Sequence, residues 1–464
     1  MKIFNTLTGR KEELVTLTPG EVKIYACGPT VYNYIHIGNA RPVCVFDVLR
    51  RYLAYKGYKV TFCQNFTDVD DKIINAANAA GVSFSEISEK FIAEYKTDAA
   101  GLGVMPADIH PRATENIDEI IDMVSALIEK GHAYEVGGDV YFSAKSFAEY
   151  GKLSGQSLED LMDGARISVG DLKREPADFA LWKASKPGEP AWDSPWGKGR
   201  PGWHIECSAM NRRYLGETID IHCGGQDLIF PHHENEIAQS ECANGVPFAR
   251  YWMHNGFITV DNEKMSKSKG NFFTVRDVAE KFGYEPIRML MISCQYRSPI
   301  NYSYDAIESC RSALTRLYNC RDALDFAAKN AVPGDAGEEF GAALGANLQR
   351  FDAALDDDLN TADAIGVLFE TVRLINKEAL TGEPVSGAVD EARRVFDLMT
   401  GILGLCYTAK EEAGDDAQID ELVRQRTEAR KNKNWAEADR IRDELKEKGI
   451  VLEDTPQGVK WKRT

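Results

Sequence analysis

The sequence predicts an α/β fold: a parallel-sheet domain interrupted by an insertion, then an α-helical bundle, then a small mixed α/β module. Three observations predict it. Strand-like runs at 22–30 and 59–66 flank a helical pattern through Phe46, Leu49, Tyr52 and Leu53. A stretch rich in Gly, Pro and Trp, ending at 192–202, breaks this α/β alternation before it resumes. From about Tyr304 to Leu405 apolar residues recur at helical spacing, as at Leu314, Leu317 and Leu324 and again at Ile365, Leu368, Val372 and Ile375.

The 464 residues suffice for two or three domains, and 44% hydrophobic with 27% charged residues is ordinary for a globular chain. A formal net charge of −17 argues against binding nucleic acid with the whole surface. It leaves room for a local basic face, because particular Lys and Arg residues make phosphate contacts. The first residues lack an apolar run ahead of a small-residue cleavage site, and no stretch approaches the roughly 18 apolar residues of a membrane span. The ten cysteines have no framework spacing, which fits a reducing compartment. We therefore expect a cytoplasmic chain with no membrane partner.

In order along the chain, 22–30 is a buried strand ending in the turn Gly28-Pro29. The turn residues His36-Ile37-Gly38-Asn39 follow and open the first helix. This layout points free N–H groups and a positive dipole end toward a phosphate. The strand 59–66 completes a βαβ unit. In Thr67-Asp68-Val69-Asp70-Asp71-Lys72 the carboxylates suit a metal or a helix cap, and the cap is the simpler account. Residues 108–200 form the insertion, with a hairpin around Gly137-Gly138. Residues 201–210 re-enter the sheet layer as a turn and helix.

The stretch 219–237 reads as a strand, a glycine turn and a helix opened by Pro231, a residue suited to the first helical position. His232 and Glu236 then project from one helical face and can share a zinc ion. His233-Glu234 hints at the metalloprotease pattern His-Glu-x-x-His, but Ile237 stands where the second histidine belongs. Residues 251–260 are strand-like and lead to a polar loop with Lys264, Lys267 and Lys269. Past a linker at 409–416 lie two charged helices flanking Asn432-Lys433-Asn434, and a strand at 459–462. Arg424, Arg426, Arg430, Lys431 and Lys433 concentrate on the first of these helices and its loop, either as a solvated face or as a phosphate-binding one.

His36-Ile37-Gly38-Asn39 after a strand, with Lys264-Met265-Ser266-Lys267-Ser268 far downstream, resembles the His-Ile-Gly-His and Lys-Met-Ser-Lys-Ser signatures of class I aminoacyl-tRNA synthetases. The second motif is complete, whereas Asn39 replaces the last histidine of the first. An asparagine amide still donates a hydrogen bond but carries no charge. Three further motifs narrow the resemblance to the cysteinyl-tRNA synthetase family: 25–32 (Tyr-Ala-Cys-Gly-Pro-Thr-Val-Tyr), 202–210 (Gly-Trp-His-Ile-Glu-Cys-Ser-Ala-Met) and 230–236 (Phe-Pro-His-His-Glu-Asn-Glu).

The resemblance implies a Rossmann-like catalytic domain in two halves, 1–107 and 201–303, around a connective insertion at 108–200. It implies a tRNA-binding helical bundle at 304–408 and an anticodon-binding module at 409–464. It implies one Zn²⁺ per chain held by Cys27, Cys207, His232 and Glu236, with Cys223 a packed bystander. Catalysis and ATP binding fall to His36, Asn39, Lys264 and Lys267, with ATP arriving as its Mg²⁺ complex. Thr67, Trp203, His204 and Asp227 line the cysteine pocket. The partners are cysteine, ATP and tRNA(Cys), the reaction is cysteine–tRNA ligation, and the chain is a monomer.

Zinc suits the task. Cysteine and serine differ by one atom, and a pocket relying on size separates such near-isosteres only about 10–200-fold. A thiolate-seeking ion binds sulfur at about 2.3 Å and discriminates directly. A closed structural zinc site usually draws on tightly spaced cysteine pairs, whereas Cys27 and Cys207 lie far apart in sequence. Two rival readings remain: a ligase that passes cysteine to an amino sugar, and a catalytically silent tRNA- or zinc-binding protein. The retained tail argues against the first, and the intact 264–268 motif against the second.

Overall fold

A computed structural model describes residues 1–159, 172–265, 271–408, 416–455 and 458–463. The chain forms two compact units. The first comprises Met1–Ser312, Asp352–Ile365 and Ile402–Leu405, and the second Ala313–Phe351, Gly366–Gly401 and Cys406–Thr464.

The first unit is organised on four parallel strands in the order Ala249–Asn255, Ile219–Gly225, Glu21–Ala26, Lys59–Gln64. The two strands Ile219–Gly225 and Ala249–Asn255 are buried almost throughout, as expected for strands covered on both faces, and the other two are buried toward their carboxyl ends. The chain leaves the strand Glu21–Ala26 through the helix Ile37–Tyr55 to reach Lys59–Gln64 on one side, while Ile219–Gly225 pairs on the other. Ligands of open α/β sheets bind at such a switch point, beyond the carboxyl ends of the strands. Cys27 and Gly28 stand there.

The insertion carries the helix Ile117–Glu129 and an antiparallel sheet of Ala133–Val136, Asp139–Phe142, Phe179–Ala184 and Gly199–Pro201. The expected hairpin is present. Gly137 and Gly138 both take positive φ, 62° and 88°, which a two-residue turn of this kind requires. Phe142, Leu181 and Trp182 of this sheet pack with Ile120, Met123 and Leu127, and with Ile205 and Ala209 of the helix Trp203–Tyr214. The sheet's inner face thus holds the element that carries Cys207.

Three local expectations need correction. The helix after Gly224-Gly225 does not begin at Pro231: an irregular turn, Ile229–His233, precedes the regular helix Glu234–Asn244. Phe230 is extended there (φ −135°, ψ 133°), as the residue before a proline tends to be. The strand expected at 251–260 is two strands, Ala249–Asn255 and Ile258–Val260. The break falls at Gly256, where a Cβ would come within 2.6 Å of the carbonyl oxygens of Arg297 and Ser298. The second piece joins another sheet, pairing with Glu263–Lys264 and Ile300–Tyr302. The C-terminal strand Gly458–Arg463 has an antiparallel partner, Ile450–Thr455, that sequence reading did not anticipate.

The acidic run after Lys59–Gln64 caps and tethers. Asp70 accepts from the Lys72 N–H at 2.9 Å at the start of the helix Asp71–Ala80. Asp71 pairs with Lys183 and Arg200, and Asp68 accepts from Thr114.

The helices Tyr304–Asn330, Glu338–Asp356, Thr361–Glu378 and Ser386–Leu403 match the predicted helical stretch. Within the second unit, the helices Asp416–Lys431 and Trp435–Glu447 enclose a small core of Ile419, Val423, Ile441, Leu445 and Ile450. The linker residues 409–415 lie outside the described ones.

Candidate active site and metal centre

Gly28 and Gly38 make two close approaches possible. A Cβ on Gly28 would lie 1.6 Å from the Asn65 carbonyl oxygen, so only glycine lets the segment after Cys27 cross the neighbouring strand. A Cβ on Gly38 would lie 2.8 Å from His36 Nδ1. His36 caps the helix Ile37–Tyr55, and its backbone N–H donates to Asn39 Oδ1 at 3.2 Å. Asn39 thereby spends its oxygen on the cap and keeps its amide nitrogen as a donor.

A cavity of about 990 Å³ runs past these residues. Its walls include Cys27, His36, Gly38 and Asn39 on one side, and Trp203, Asp227 and Phe257 on others. Met265, the last described residue before 266–270, also lines it. Lys264 sits in the short strand Glu263–Lys264, and Lys267 lies outside the described residues.

Cys27, which lines the cavity, converges with Cys207, His232 and Glu236, three buried residues that are not among its lining. The two sulfurs are 3.8 Å apart, and Cys207 Sγ is 3.6 Å from His232 Nε2. A tetrahedral zinc site, with Zn–S about 2.3 Å and Zn–N about 2.0–2.1 Å, sets sulfurs about 3.8 Å apart and sulfur and nitrogen about 3.6 Å apart. Glu236 Oε1 is nearer, 3.3 Å from Cys27 Sγ and 2.9 Å from His232 Nε2, and would withdraw by roughly half an ångström to take its corner. The donor set therefore fits a tetrahedral ion. His232 and Glu236 meet as expected, although His232 comes from the irregular turn and only Glu236 from the regular helix.

The surroundings orient these donors. Glu236 gives its other oxygen, Oε2, to His222 Nε2 at 2.8 Å. His232 uses Nδ1 on His204 Nδ1 at 2.8 Å, leaving Nε2 for the cluster. Outer partners of this kind fix ligand tautomer and orientation. Burial opposes ionisation of Glu236, yet His222 and His232 hold its pKa well below the carboxylate norm. Burial also disfavours charge on His232, but Glu236 and Cys207 push it up to about 10. The hydrogen bond from Cys27 holds the Cys207 thiol down, at about 6, while burial raises Cys27 itself. The ionised carboxylate of Glu236 and a lowered Cys207 thiol are the forms in which these groups serve as metal ligands.

The four residues assigned to the cysteine pocket separate into two pairs. Trp203, 39% exposed, and Asp227 line the cavity, the indole stacking on His232 at 4.2 Å. Thr67 and His204 are not among its lining residues. Thr67 is buried and donates to Glu206 Oε2 at 2.9 Å, and His204 acts on His232. Cys223 is buried and donates to the Tyr25 carbonyl, apart from the cluster.

Sequence reading gave no role to His222, His233 or His254. A second donor set, Cys27, His222, His233 and Glu236, shares two members with the first. His233 Nε2 stands 4.0 Å from Glu236 Oε1, while its Nδ1 bonds His254 Nε2 at 2.8 Å. The first set is the better tetrahedron because its sulfur–sulfur and sulfur–nitrogen edges, 3.8 and 3.6 Å, match the ideal lengths. Nothing in the residue spacing links His222 to Glu236. Only the strand and helix packing does.

The family description "tRNA synthetases class I (C) catalytic domain" matches residues 13–312, "DALR domain" matches 350–408, and "Cysteinyl-tRNA ligase anticodon binding domain" matches 413–461. A cysteine--tRNA ligase of Clostridioides difficile is 55% identical over 469 residues, with both chains covered completely. The chain belongs to the cysteine--tRNA ligase family. A second member, from Caldicellulosiruptor saccharolyticus, is 56% identical over 466 residues, again across all of both chains. Membership makes the protein an aminoacyl-tRNA ligase. Among solved structures, a Mycobacterium tuberculosis methionyl-tRNA synthetase with methionyl-adenylate is 18% identical. It superposes with a TM-score of 0.62, over 82% of this chain and 91% of its own. An Agrobacterium radiobacter leucyl-tRNA synthetase ternary complex gives 0.60 at 12% identity, over 84% and 85%. These likenesses show the class I synthetase fold. No helix among the described residues is long and apolar enough to cross a membrane.

Proposed function

We propose that this chain activates cysteine with ATP and passes it to the 3′ end of tRNA(Cys) in the cytoplasm, as a monomer, with one zinc ion selecting the substrate. The observation that carries the reading is the four-donor cluster of Cys27, Cys207, His232 and Glu236, whose Cys27 lines the same cavity as the helix N-terminus bearing His36 and Asn39. Bound zinc supplies preference for a thiolate over a hydroxyl. The protein's own groups do the rest. Trp203 and Asp227 bound the amino-acid end of the cavity, and Thr67 and His204 act from behind it through Glu206 and His232.

In the first step a carboxylate oxygen of cysteine attacks the α-phosphorus of ATP, and the bond to pyrophosphate breaks. Positioning and electrostatics carry such a step. The helix N-terminus, His36 and the Asn39 amide face the α-phosphate, and Lys264 and Lys267 meet charge developing on the departing pyrophosphate of ATP–Mg²⁺. The terminal ribose hydroxyl of tRNA then attacks the adenylate carbonyl and releases AMP. Cysteine-dependent ATP–pyrophosphate exchange, followed by charging of tRNA(Cys), tests this reading. Exchange without tRNA charging, with cysteine joined instead to an amino sugar, would favour the rival ligase.

In the tail, Trp461 donates its indole N–H to Asp420 at 2.7 Å and packs on the small core, whereas Trp435 is 58% exposed. Splayed anticodon bases are read by stacking and edge hydrogen bonds, so Trp435 is the better platform of the two. Cutting the chain at Thr408 should leave cysteine-dependent exchange intact, because every adenylate-site residue lies between Cys27 and Lys267. Charging should fall mainly through a higher KM for tRNA. Unchanged charging by the shortened chain would show that the tail recognises nothing.

A further inference from the structure

Arg41 is fully buried on the helix Ile37–Tyr55, one turn beyond the His36–Asn39 cap. Among the described residues no carboxylate pairs with it. Its guanidinium is met by carbonyls and one thiol: Nη1 donates to Gly256 O at 2.9 Å and Phe257 O at 3.1 Å, and Nη2 to Gln295 O at 3.3 Å and Cys294 Sγ at 3.4 Å. Its Nε has no acceptor among the described residues. Burying a cation without a counter-ion costs free energy, and an apolar side chain would fill the space more cheaply. What only a planar, multi-donor fork supplies is a fixed geometry among several backbone carbonyls.

Those carbonyls mark a decisive place. Gly256-Phe257 is the break between the parallel strand Ala249–Asn255 and the strand Ile258–Val260 that leads to the signature loop. Gly256, Phe257, Ile258 and Thr259 line the cavity, as do His36, Gly38 and Asn39. The break is held from its other sides too. Gly256 N–H donates to Tyr296 O at 2.8 Å, and Phe257 O accepts from Ile300 N–H at 2.9 Å. Segment 295–297 is anchored in turn by Asp358, which accepts from Tyr296 Oη at 2.9 Å and Arg297 Nε at 2.8 Å.

We propose that Arg41 is a positioning residue for adenylate formation, joining the cap helix to the Gly256-Phe257 break and so setting the spacing of the two walls that receive ATP. The inference rests on the reading that this cavity takes ATP. Burial lowers the Arg41 pKa to about 10, which leaves it charged at neutral pH.

The test is ATP–pyrophosphate exchange by full-length Arg41→Lys and Arg41→Gln, with cysteine binding followed separately through the absorption of cobalt-substituted protein. Misplacement of reacting groups by about an ångström costs on the order of 10²-fold. Arg41→Gln should therefore lose about that much in kcat/KM for ATP, and Arg41→Lys less, with cysteine affinity unchanged in both. Cys294→Ala removes one of the four partners while leaving Arg41, and should weaken kcat/KM for ATP by roughly two- to tenfold. This milder variant decides the matter if the Arg41 variants do not fold. Equal losses toward ATP and cysteine, or a lower Tm with unchanged exchange, would reduce Arg41 to general support. A wild-type protein without any exchange would overturn the functional reading itself, and this inference with it.

Discussion

Lys267→Ala should slow adenylate formation by about 10²–10³-fold, the usual loss when one donor to developing charge is removed. The dissociation constant for cysteine and the Tm should stay close to wild type. On the proposed reading this lysine of the polar run 261–271 meets charge only as pyrophosphate departs, so its loss should cost transition-state binding and spare ground-state binding. Pre-steady-state ATP consumption with saturating cysteine measures the first quantity, and equilibrium titration the second. A lower Tm with an unchanged activation rate would show Lys267 to be structural only. The neighbouring cap predicts a softer result for Asn39: its oxygen serves the helix, so Asn39→Ala should cost a few-fold to tenfold in exchange, with part of the loss appearing as stability.

Cys207→Ala should release the zinc and collapse discrimination. Cys207 supplies one of two sulfur donors, 3.8 Å from the other, and alanine leaves a three-donor set at a buried position. Zinc content should fall from one per chain toward zero. The ratio of kcat/KM for cysteine over serine should drop to at most the roughly 10–200-fold that a size-selecting pocket provides. His222→Gln removes the partner of Glu236 Oε2 rather than a ligand, and should weaken metal affinity about 10–100-fold while leaving binding measurable. Retention of tight zinc by Cys207→Ala would exclude that residue from the ligand set.

Much of this site could be read from the chain alone, for identifiable reasons. His232 and Glu236 sit four apart, and helical geometry brings such a pair together whichever fold carries them. Cys27 and Cys207 required the motifs, because the contact between them is made by the sheet switch point and the insertion sheet. His222 and His204 stayed hidden as orienting groups, because their contacts with Glu236 and His232 are made by packing between a strand, two helices and a turn. Thr67 was assigned to the pocket, yet its hydroxyl points to Glu206 in the interior. The misplaced helix start at Pro231 has a local cause, since Phe230 takes the extended conformation that proline imposes and the turn swings both His232 and His233 inward. Arg41 shows no sign in sequence of being buried without a counter-ion. Its partners lie more than two hundred residues away.

The central claim is that the metal at Cys27, Cys207, His232 and Glu236 recognises the substrate's sulfur. Substituting cobalt for zinc and recording the visible absorption spectrum with cysteine and with serine tests it most directly. Cysteine should shift and intensify the sulfur-to-metal bands as another thiolate joins the ion, and serine at the same concentration should leave them unchanged. A spectrum indifferent to cysteine would make the metal a structural ion and contradict the account.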